Sequence, residues 1–369
     1  MKILIACDKF KGSLDALNVC QAIADGLLLS HKNIECKILP MADGGDGTLQ
    51  VLQNCFDYTK ITVETLDPLL REIKASYLSD GNTAFIELAE ASGMAKLKKA
   101  ELNILKTTTI GTGILIKHAL DNNHKKIVLS VGGSCTNDAG LGIAYALGYN
   151  FVDKNQNNII PSGSNINQII NIISPQESID IPITILCDVE NPLYGKTGAA
   201  HIYGPQKGAT QEDIVLLDKS MTHISEVIQN QFGKNISTLI GGGAAGGIPA
   251  GLFGLIKNTT LKNGFDYISQ ITKLEEKIKD ADFVITGEGQ MDSQSLQGKV
   301  VYQVASICHK YQVPIVAVVG VSKLTPLEKE NLNVESIYEV IHIAKNLEDA
   351  MLNCSSLLIE IGKIIVLTT

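Results

Sequence analysis

The sequence has no tryptophan, few aromatic residues and no excess of basic residues. Aromatics make up 5% of the chain, and 31 lysines and arginines stand against 39 aspartates and glutamates, for a formal net charge of −8. Nucleic-acid backbones are bound through basic patches, so this composition predicts no nucleic-acid partner. It leaves small anionic substrates open, because these need only a local cluster of lysines or backbone amides.

The sequence also lacks paired cysteine motifs and long apolar runs. Its eight cysteines form no CxxC, and several, such as Cys7, Cys135 and Cys187, lie in or beside apolar runs. This pattern predicts free, mostly buried thiols in a reducing compartment. The apolar run Ile3–Cys7 is too short for a signal peptide, and no stretch approaches the length of a membrane span. We therefore expect a soluble, cytoplasmic protein without a membrane partner.

What the chain does have is an alternation of strands and helices at both ends. With 369 residues, 45% of them hydrophobic, it is long enough for two domains. Buried strands that alternate with helices favour a parallel α/β sheet. Five strands predict one doubly wound sheet: Lys2–Cys7, Ile34–Leu39, Phe283–Thr286, Pro314–Val319 and Tyr338–Ile343. The helices predicted between them are Leu14–Leu29, Lys299–Tyr311 and Leu347–Ile361.

The middle of the chain predicts a second α/β domain inserted into the first. We place the first, discontinuous domain at residues 1–75 and 276–369, and the inserted domain at residues 76–275. The strands predicted within the inserted domain are Thr83–Leu88, Lys126–Val131 and Ile183–Cys187.

The segment Asp8–Ser13 follows the first predicted strand and opens a helix, a position where open α/β sheets bind ligands. Free amides at Gly12 and Ser13, with Lys9 and Lys11 nearby, would attract a phosphate or a carboxylate. An ordinary helix cap, with Ser13 capping and both lysines in solvent, explains the segment equally well.

Two glycine-rich segments place carboxylates at predicted strand ends. Asp43 and Asp46 are separated by glycines and suit a hydrated Mg²⁺ or a polyhydroxy substrate. Glu288 and Asp292 suit a shared metal, and Lys299 of the following helix suits a phosphate. The alternatives are a glycine turn with solvated aspartates in the first case and a flexible loop in the second.

Gly132–Asp138 follows another predicted strand and precedes a helix. Its small residues, hydroxyls and amides suit an anion or triphosphate cradle. A capped helix start explains Ser, Thr or Asp singly, but not all of them together. Asp188 ends a further strand, where it suits a base or a metal ligand; a structural turn before Pro192 is the alternative.

One motif is typical of dinucleotide-binding enzymes. Gly241–Gly246 matches the GxGxxG of dinucleotide sites, follows a predicted strand and has Asp266 twenty residues later. Thr260–Phe265, with a lysine, an asparagine and a glycine, is a poor second strand for such a site. Because of the motif, an NAD-dependent hydroxy-acid oxidoreductase is kept as an alternative function for this chain. Gly195–Thr197 imitates the end of a P-loop, yet Glu190 stands where its first glycine is required.

Taken in order, these segments resemble the bacterial glycerate kinase family of the two-domain type, over nearly the whole chain. Many relatives have arginine where this chain has Gln290 and Gln297, so arginine contacts are not expected there. The matching segments are Asp8–Leu14, Pro40–Thr48, Glu90–Gly93, Thr107–Thr109, Gly111–Gly113, Gly132–Asp138, Cys187–Leu193, Gly204–Thr210, Gly243–Gly247 and Ile285–Gly289.

The resemblance implies a flavodoxin-like domain and a second α/β domain, with the active site in the cleft between them. It also implies transfer of a phosphoryl group from ATP to the 2-hydroxyl of D-glycerate, giving 2-phosphoglycerate, by a monomer or homodimer. A glycerate 3-kinase, or a kinase of another small hydroxy acid, is the alternative within the same class. A non-catalytic sensor of sugar acids or nucleotides is a further alternative.

Phosphoryl transfer depends on positioning and charge neutralisation more than on covalent chemistry. We expect Asp188, and after it Asp43, to orient the attacking hydroxyl and accept its proton. The expected Mg²⁺ ligands are Asp46, Glu288 and Asp292. The expected substrate-binding residues are Lys9, Lys11, Gly12, Ser13, Asp43 and Asn191, and both lysines are also expected to assist catalysis. The expected nucleotide-binding residues are Gly133, Ser134, Thr136, Asn137, Gly242, Gly243 and Lys299.

Overall fold

The structure, a computed structural model, describes residues 1–293 and 298–367. The chain forms two compact units, one of Met1–Asp57 with Asn263–Thr369 and one of Tyr58–Lys262. It leaves the first unit once, builds the second and then returns. The predicted boundaries at residues 75/76 and 275/276 differ from these two crossings, and residues 59–79 pair into the main sheet of the second unit.

The strands and helices alternate along most of the chain. The strands are β1 (Lys2–Cys7), β2 (Glu35–Ile38), β3 (Thr59–Leu66), β4 (Glu72–Ser79), β5 (Thr83–Glu87), β6 (Lys126–Ser130), β7 (Asn150–Val152), β8 (Asn158–Ile159), β9 (Asn171–Ile173), β10 (Ile183–Leu186), β11 (Thr259–Lys262), β12 (Phe283–Met291), β13 (Ile315–Ser322) and β14 (Ile337–Glu339). The helices are α1 (Ala16–Ser30), α2 (Thr48–Cys55), α3 (Ala89–Ser92), α4 (Ile110–Asp121), α5 (Leu141–Ala146), α6 (Ala199–Tyr203), α7 (Gln211–Phe232), α8 (Ala244–Leu255), α9 (Gly264–Thr272), α10 (Leu274–Lys279), α11 (Val300–Tyr311), α12 (Pro326–Glu330), α13 (Leu347–Leu352) and α14 (Cys354–Ile364).

The sheet of the first unit contains five parallel strands in the order β14-β13-β12-β1-β2. Numbered within the unit, this order is 2-1-3-4-5, that of flavodoxin-like sheets. Both faces of the sheet are covered by apolar side chains. Val316 and Val318 belong to the cluster that contains α1 and α14, whereas Ala317 and Val319 pack with Val301 of α11. The predicted flavodoxin-like, doubly wound parallel sheet is confirmed.

Helices α1 and α14 cross at a close contact that requires glycine. A Cβ atom built on Gly26 would lie 2.1 Å from the carbonyl oxygen of Ile359 and 2.8 Å from the Cα of Gly362. No side chain fits at that distance, so the backbones of the two helices lie against each other. The predicted single helix Leu347–Ile361 is wrong in one respect, because Asn353 interrupts it and separates α13 from α14.

The second unit contains a six-stranded sheet in the order β11-β10-β6-β5-β4-β3 and a small sheet in the order β8-β7-β9. Strands β11, β10, β6 and β5 run parallel, and β4 pairs antiparallel with both β5 and β3. The three strands predicted for the middle of the chain correspond to β5, β6 and β10. The segment Thr260–Phe265 was judged a poor strand, yet β11 covers its first half. An edge strand pairs on one side only and so tolerates polar residues.

In both main sheets, the polar segments singled out from the sequence follow the carboxyl ends of parallel strands. Cys7 is in register with Gly287 in the first unit, and Ser130 is in register with Glu87 and Leu186 in the second. Each unit therefore has its own set of polar groups at the carboxyl ends of its parallel strands. None of the helices in the described part of the chain is long and apolar enough to cross a membrane.

Candidate functional site

The polar edge of the first unit lies between β1 and β12, where the order of the parallel strands reverses. Asp8 follows β1, and its backbone amide donates to the carbonyl oxygen of Gly287 at 2.8 Å. Burial, together with the neighbouring carboxylates of Asp43 and Glu288, raises the pKa of Asp8 to about 8, although Lys9 opposes the rise. At neutral pH, without a bound cation, the Asp8 carboxyl therefore carries a proton. Sequence reasoning gave Asp8 no role, because the spacing of residues does not show which carboxyl groups will crowd together.

The loop after β2 is held by its own hydrogen bonds. An oxygen of the Asp43 carboxylate accepts from the amide of Gly45 at 2.9 Å, and the hydroxyl of Thr48 donates to the carbonyl oxygen of Gly45 at 2.6 Å. Asp43 is partly buried, whereas Asp46 is exposed. The loop thus presents Asp43 in a fixed turn toward the same strand ends as Asp8.

Lys9 and Asp46 form an ion pair. The ammonium group of Lys9 donates to the backbone carbonyl of Asp46 and lies 3.2 Å from its carboxylate oxygen. The Lys9 side chain is 24% exposed and that of Asp46 is 52% exposed. A predicted substrate lysine and a predicted metal ligand therefore neutralise each other here.

The segment before α1 departs from the expected helix start. The helix begins at Ala16, and Asp15, rather than Ser13, is the residue that caps it, accepting from the amide of Asn18 at 2.9 Å. The Ser13 hydroxyl instead donates to the carbonyl oxygen of Met351 at 2.6 Å. The expectation that the amides of Gly12 and Ser13 open the helix is therefore wrong. The helix is capped by Asp15 instead of Ser13 and so begins two residues later than predicted.

The segment after β12 is described up to Ser293 and again from Gly298. Asp292 accepts a hydrogen bond from the side-chain amide of Gln290 at 2.9 Å, and Lys299 is the N-cap residue of α11. Gln297 lies outside the described residues. Within the described residues, no group of three or more His, Cys, Asp or Glu side chains is arranged to hold a metal ion.

In the second unit, Asp138 anchors the segment that follows β6. The side chain is fully buried, and its carboxylate accepts from the amide and the hydroxyl of Thr109, both at 2.8 Å, and from the amide of Gly140 at 3.1 Å. Burial raises the pKa of Asp138, and these hydrogen bonds oppose the rise. The threonines at 107–109 therefore serve to hold the polar segment in place.

Lys207 lies beneath the same segment and is 2% exposed. It ends a short 3₁₀ turn, and its ammonium group donates to the hydroxyl of Ser134 at 2.7 Å and to the carbonyl oxygen of Thr136 at 2.8 Å. Burial lowers the pKa of Lys207 to about 8, against the opposing influence of Cys135 and Asp138. Among the ion pairs of the described residues, none joins Lys207 to a carboxylate within 4.0 Å.

Two neighbouring side chains are buried without partners. The hydroxyl of Thr136 and both polar atoms of the Asn137 side chain have no hydrogen-bond partner among the described residues, and both residues are fully buried. Buried polar groups in native proteins are nearly always hydrogen-bonded. These atoms are therefore the polar groups of this segment that a ligand would satisfy.

The glycine-rich segment at residues 241–247 packs against this loop rather than forming a dinucleotide turn. Residues 233–243 contain turns and no strand, so the strand predicted before the GxGxxG motif is absent. Gly246 has a φ of +79°, and a Cβ there would lie 2.1 Å from the carbonyl oxygen of Thr136. The amides of Gly242 and Gly243 already donate to the carbonyl oxygens of Leu239 and Asn191, both at 2.9 Å. These two predicted nucleotide-binding residues are engaged within the protein.

The segment after β10 places Asp188 in solvent and Asn191 in a local network. The side-chain amide of Asn191 donates to the carbonyl oxygen of Thr197 at 2.8 Å, and its oxygen accepts from the hydroxyl of Tyr203 at 2.6 Å. Burial raises the pKa of Tyr203 to about 12, and Cys187 and Asp188 add to the rise. Asp188 thus lies near Tyr203, whereas both polar atoms of the Asn191 side chain are used in hydrogen bonds that hold the loop.

The predicted residues therefore fall into two groups. The first unit brings Asp43 and Glu288 together with Asp8, and pairs Lys9 with Asp46; Lys11 and Gly12 are exposed. The second unit brings Ser134, Thr136 and Asn137 together with Lys207, beside the partly exposed Gly133. Sequence reasoning missed Lys207. Its only signal was its place between Gly204 and Gly208 in the segment Gly204–Thr210.

Comparison with known proteins gives a consistent result. A sequence model of the Glycerate kinase family matches residues 3–369. A glycerate kinase of Halalkalibacterium halodurans is 39% identical over 324 residues, which cover 86% of this chain and 85% of that one. A glycerate 2-kinase of Escherichia coli is 39% identical over 326 residues, covering 87% and 85%. A crystal structure named for glycerate kinase 2 of Salmonella typhimurium LT2 superposes with a TM-score of 0.83 at 37% identity, covering 98% and 96%.

Proposed function

The chain belongs to the glycerate kinase family and is a kinase, and from this premise we propose that it phosphorylates D-glycerate with ATP. The proposed acceptor is the 2-hydroxyl, with 2-phosphoglycerate as the product, and the name of the glycerate 2-kinase at 39% identity supports this choice. We further propose that residues of both units take part in the reaction.

The observation that supports this proposal most is the carboxyl group of Asp8 beside those of Asp43 and Glu288. These groups lie at the reversal of strand order, which is where flavodoxin-like sheets bind ligands. An acid such as Asp8, whose pKa is raised by burial and by neighbouring carboxylates, marks a place where a cation or a proton is taken up. Phosphoryl transfer needs both, since charge on the phosphates must be neutralised and the attacking hydroxyl must lose its proton.

We propose Mg²⁺ as the metal. This ion takes one or two carboxylates and completes its shell with phosphate oxygens and water, so it needs no cage of three acidic side chains. Of the predicted ligands, Asp46 is paired with Lys9 and Asp292 accepts from Gln290. We propose Glu288 and Asp8, which lie near each other at the ends of β12 and β1, as the first ligands, and Asp46 and Asp292 as alternative ligands. The bound ion would neutralise charge on the β- and γ-phosphates.

One carboxylate is proposed to orient the attacking hydroxyl and accept its proton, with Asp188 as the first candidate and Asp43 as the second. Asp188 is exposed in the segment that follows β10, and Asp43 is partly buried in the loop after β2. Lys11, which is exposed, is the proposed contact for the glycerate carboxylate, and Lys299 at the start of α11 is proposed for a phosphate. A carboxylate in the base role must be ionised, and the exposed position of Asp188 suits this requirement.

The proposal is tested by measuring ADP release from Mg-ATP with and without D-glycerate. We expect ADP only when glycerate is present, and loss of that signal when EDTA removes the metal. Absorbance at the NADH wavelength with NAD⁺ and glycerate tests the oxidoreductase alternative in the same samples. A folded protein that releases no glycerate-dependent ADP would contradict the proposal, and the same assay with other small hydroxy acids would then identify the acceptor.

A further inference from the structure

The polar segment of the second unit contains a buried cation that forms no ion pair within 4.0 Å with any carboxylate of the described residues. Lys207 is 2% exposed, and its ammonium group donates hydrogen bonds to the hydroxyl of Ser134 and the carbonyl oxygen of Thr136. The nearby carboxylate of Asp138 already accepts hydrogen bonds from the amide and the hydroxyl of Thr109 and from the amide of Gly140. A buried charge without a close partner is costly to a fold, so its retention calls for a functional reason.

A second, independent observation lies next to this cation. The Thr136 hydroxyl and the Asn137 side-chain amide are fully buried and have no partner among the described residues. Both can donate a hydrogen bond, and both stand in the segment that Lys207 holds. The adjoining Gly132 and Gly133 are partly exposed, so the segment borders solvent at its start.

From these observations we infer that Lys207 is a positioning residue that makes the segment Ser134–Asn137 a binding subsite for an oxyanion. The donors that touch the oxyanion are the Thr136 hydroxyl and the Asn137 amide, while Lys207 fixes the segment and supplies the positive charge. Hydrogen bonds from fixed donors to an ionised acceptor are the strong class, and a cation in a low-dielectric setting adds to them. The inference rests on the proposed function for the source of the oxyanion, which is a phosphoryl oxygen of ATP or the carboxylate of glycerate.

The sharpest variant is Thr136→Val. Because the threonine hydroxyl has no hydrogen-bond partner among the described residues, its replacement by a methyl group removes no hydrogen bond to them, and the melting temperature should stay the same or rise. Binding of the oxyanion should nevertheless weaken about 10- to 100-fold, the range for one hydrogen bond to a charged group. Lys207→Met should weaken it by at least as much, and Lys219→Met, at an exposed lysine of α7, is the matched control.

The measurement is titration calorimetry of the full chain with ADP, inorganic pyrophosphate and D-glycerate, each added alone. Weaker binding of ADP and pyrophosphate assigns the subsite to a phosphoryl group, and weaker binding of glycerate alone assigns it to the carboxylate; either supports the inference. Wild-type affinity of Thr136→Val for all the ligands would overturn it. If the wild-type chain binds ADP or pyrophosphate but does not turn over glycerate, the proposed substrate fails while this comparison still decides the subsite.

Discussion

Replacing Lys207 by methionine should remove a stability penalty that depends on pH. Burial lowers the pKa of this lysine from 10.5 to about 8. Between these two pH values the unfolded chain binds the proton that the folded chain has released. The free energy of unfolding therefore rises with pH over this window in the wild-type chain, and at lower pH the fold carries the full cost of the buried charge.

The size of this penalty follows from the pKa. A tenfold difference in proton affinity is about 1.4 kcal/mol, so the penalty is about 3 kcal/mol at pH 7 and about 1 kcal/mol at pH 10. Methionine also loses two hydrogen bonds, which costs about 1–3 kcal/mol at every pH. The stability of Lys207→Met relative to wild type should therefore fall by about 2 kcal/mol between pH 7 and pH 10.

Urea unfolding followed by circular dichroism at pH 7, 8, 9 and 10 measures this difference. Lys219→Met, on the exposed surface of α7, is the control, and its stability relative to wild type should not change with pH. If the difference between Lys207→Met and wild type is the same at all four pH values, Lys207 is not a lysine whose charge is opposed by burial, and the reasoning is refuted.

The other predictions concern the acids and the helix contact of the first unit. Asp188→Asn should lower kcat for glycerate by about 100-fold or more with an unchanged melting temperature, while Asp121→Asn, on the surface, should not; full activity of Asp188→Asn would leave the role to Asp43. Because burial and the neighbouring carboxylates raise the pKa of Asp8 to about 8, wild-type stability should decline as pH rises toward 8, and Asp8→Asn should decline less; parallel curves would contradict this. Gly26→Ala should destabilise the fold by about 2 kcal/mol or more, since the new Cβ would meet the Ile359 carbonyl at 2.1 Å; a melting temperature equal to wild type would show that the helices separate easily.

The strands of the first unit were predictable because parallel strands are buried on both faces and read as continuous apolar runs. The first part of β12, Phe283–Thr286, and the first part of β13, Ile315–Val319, are of this kind. The antiparallel pair β3 and β4 was missed because residues such as Lys60 and Glu64 in β3 are exposed, and a half-exposed edge strand resembles a loop.

The residue types of the candidate site in the second unit were predictable from the sequence, but their burial was not. The segment Gly132–Asp138 was singled out for its hydroxyls and amides, and the structure adds that the Thr136 hydroxyl and the Asn137 side-chain amide are buried with no hydrogen-bond partner among the described residues. Lys207 has exposed neighbours on both sides, Gln206 and Gly208, so its local sequence is that of a solvated turn. Whether a lysine in such a turn points inward depends on the segment packed above it, and that segment lies about 70 residues earlier in the chain.

The central claim, that this kinase phosphorylates the 2-hydroxyl of glycerate, is tested most directly by phosphorus NMR. The full chain is incubated with Mg-ATP and D-glycerate, and the product signal is compared with those of authentic 2-phosphoglycerate and 3-phosphoglycerate. We predict 2-phosphoglycerate and ADP in equal amounts. A signal of 3-phosphoglycerate, or ADP and inorganic phosphate without a phosphorylated glycerate, would contradict the account.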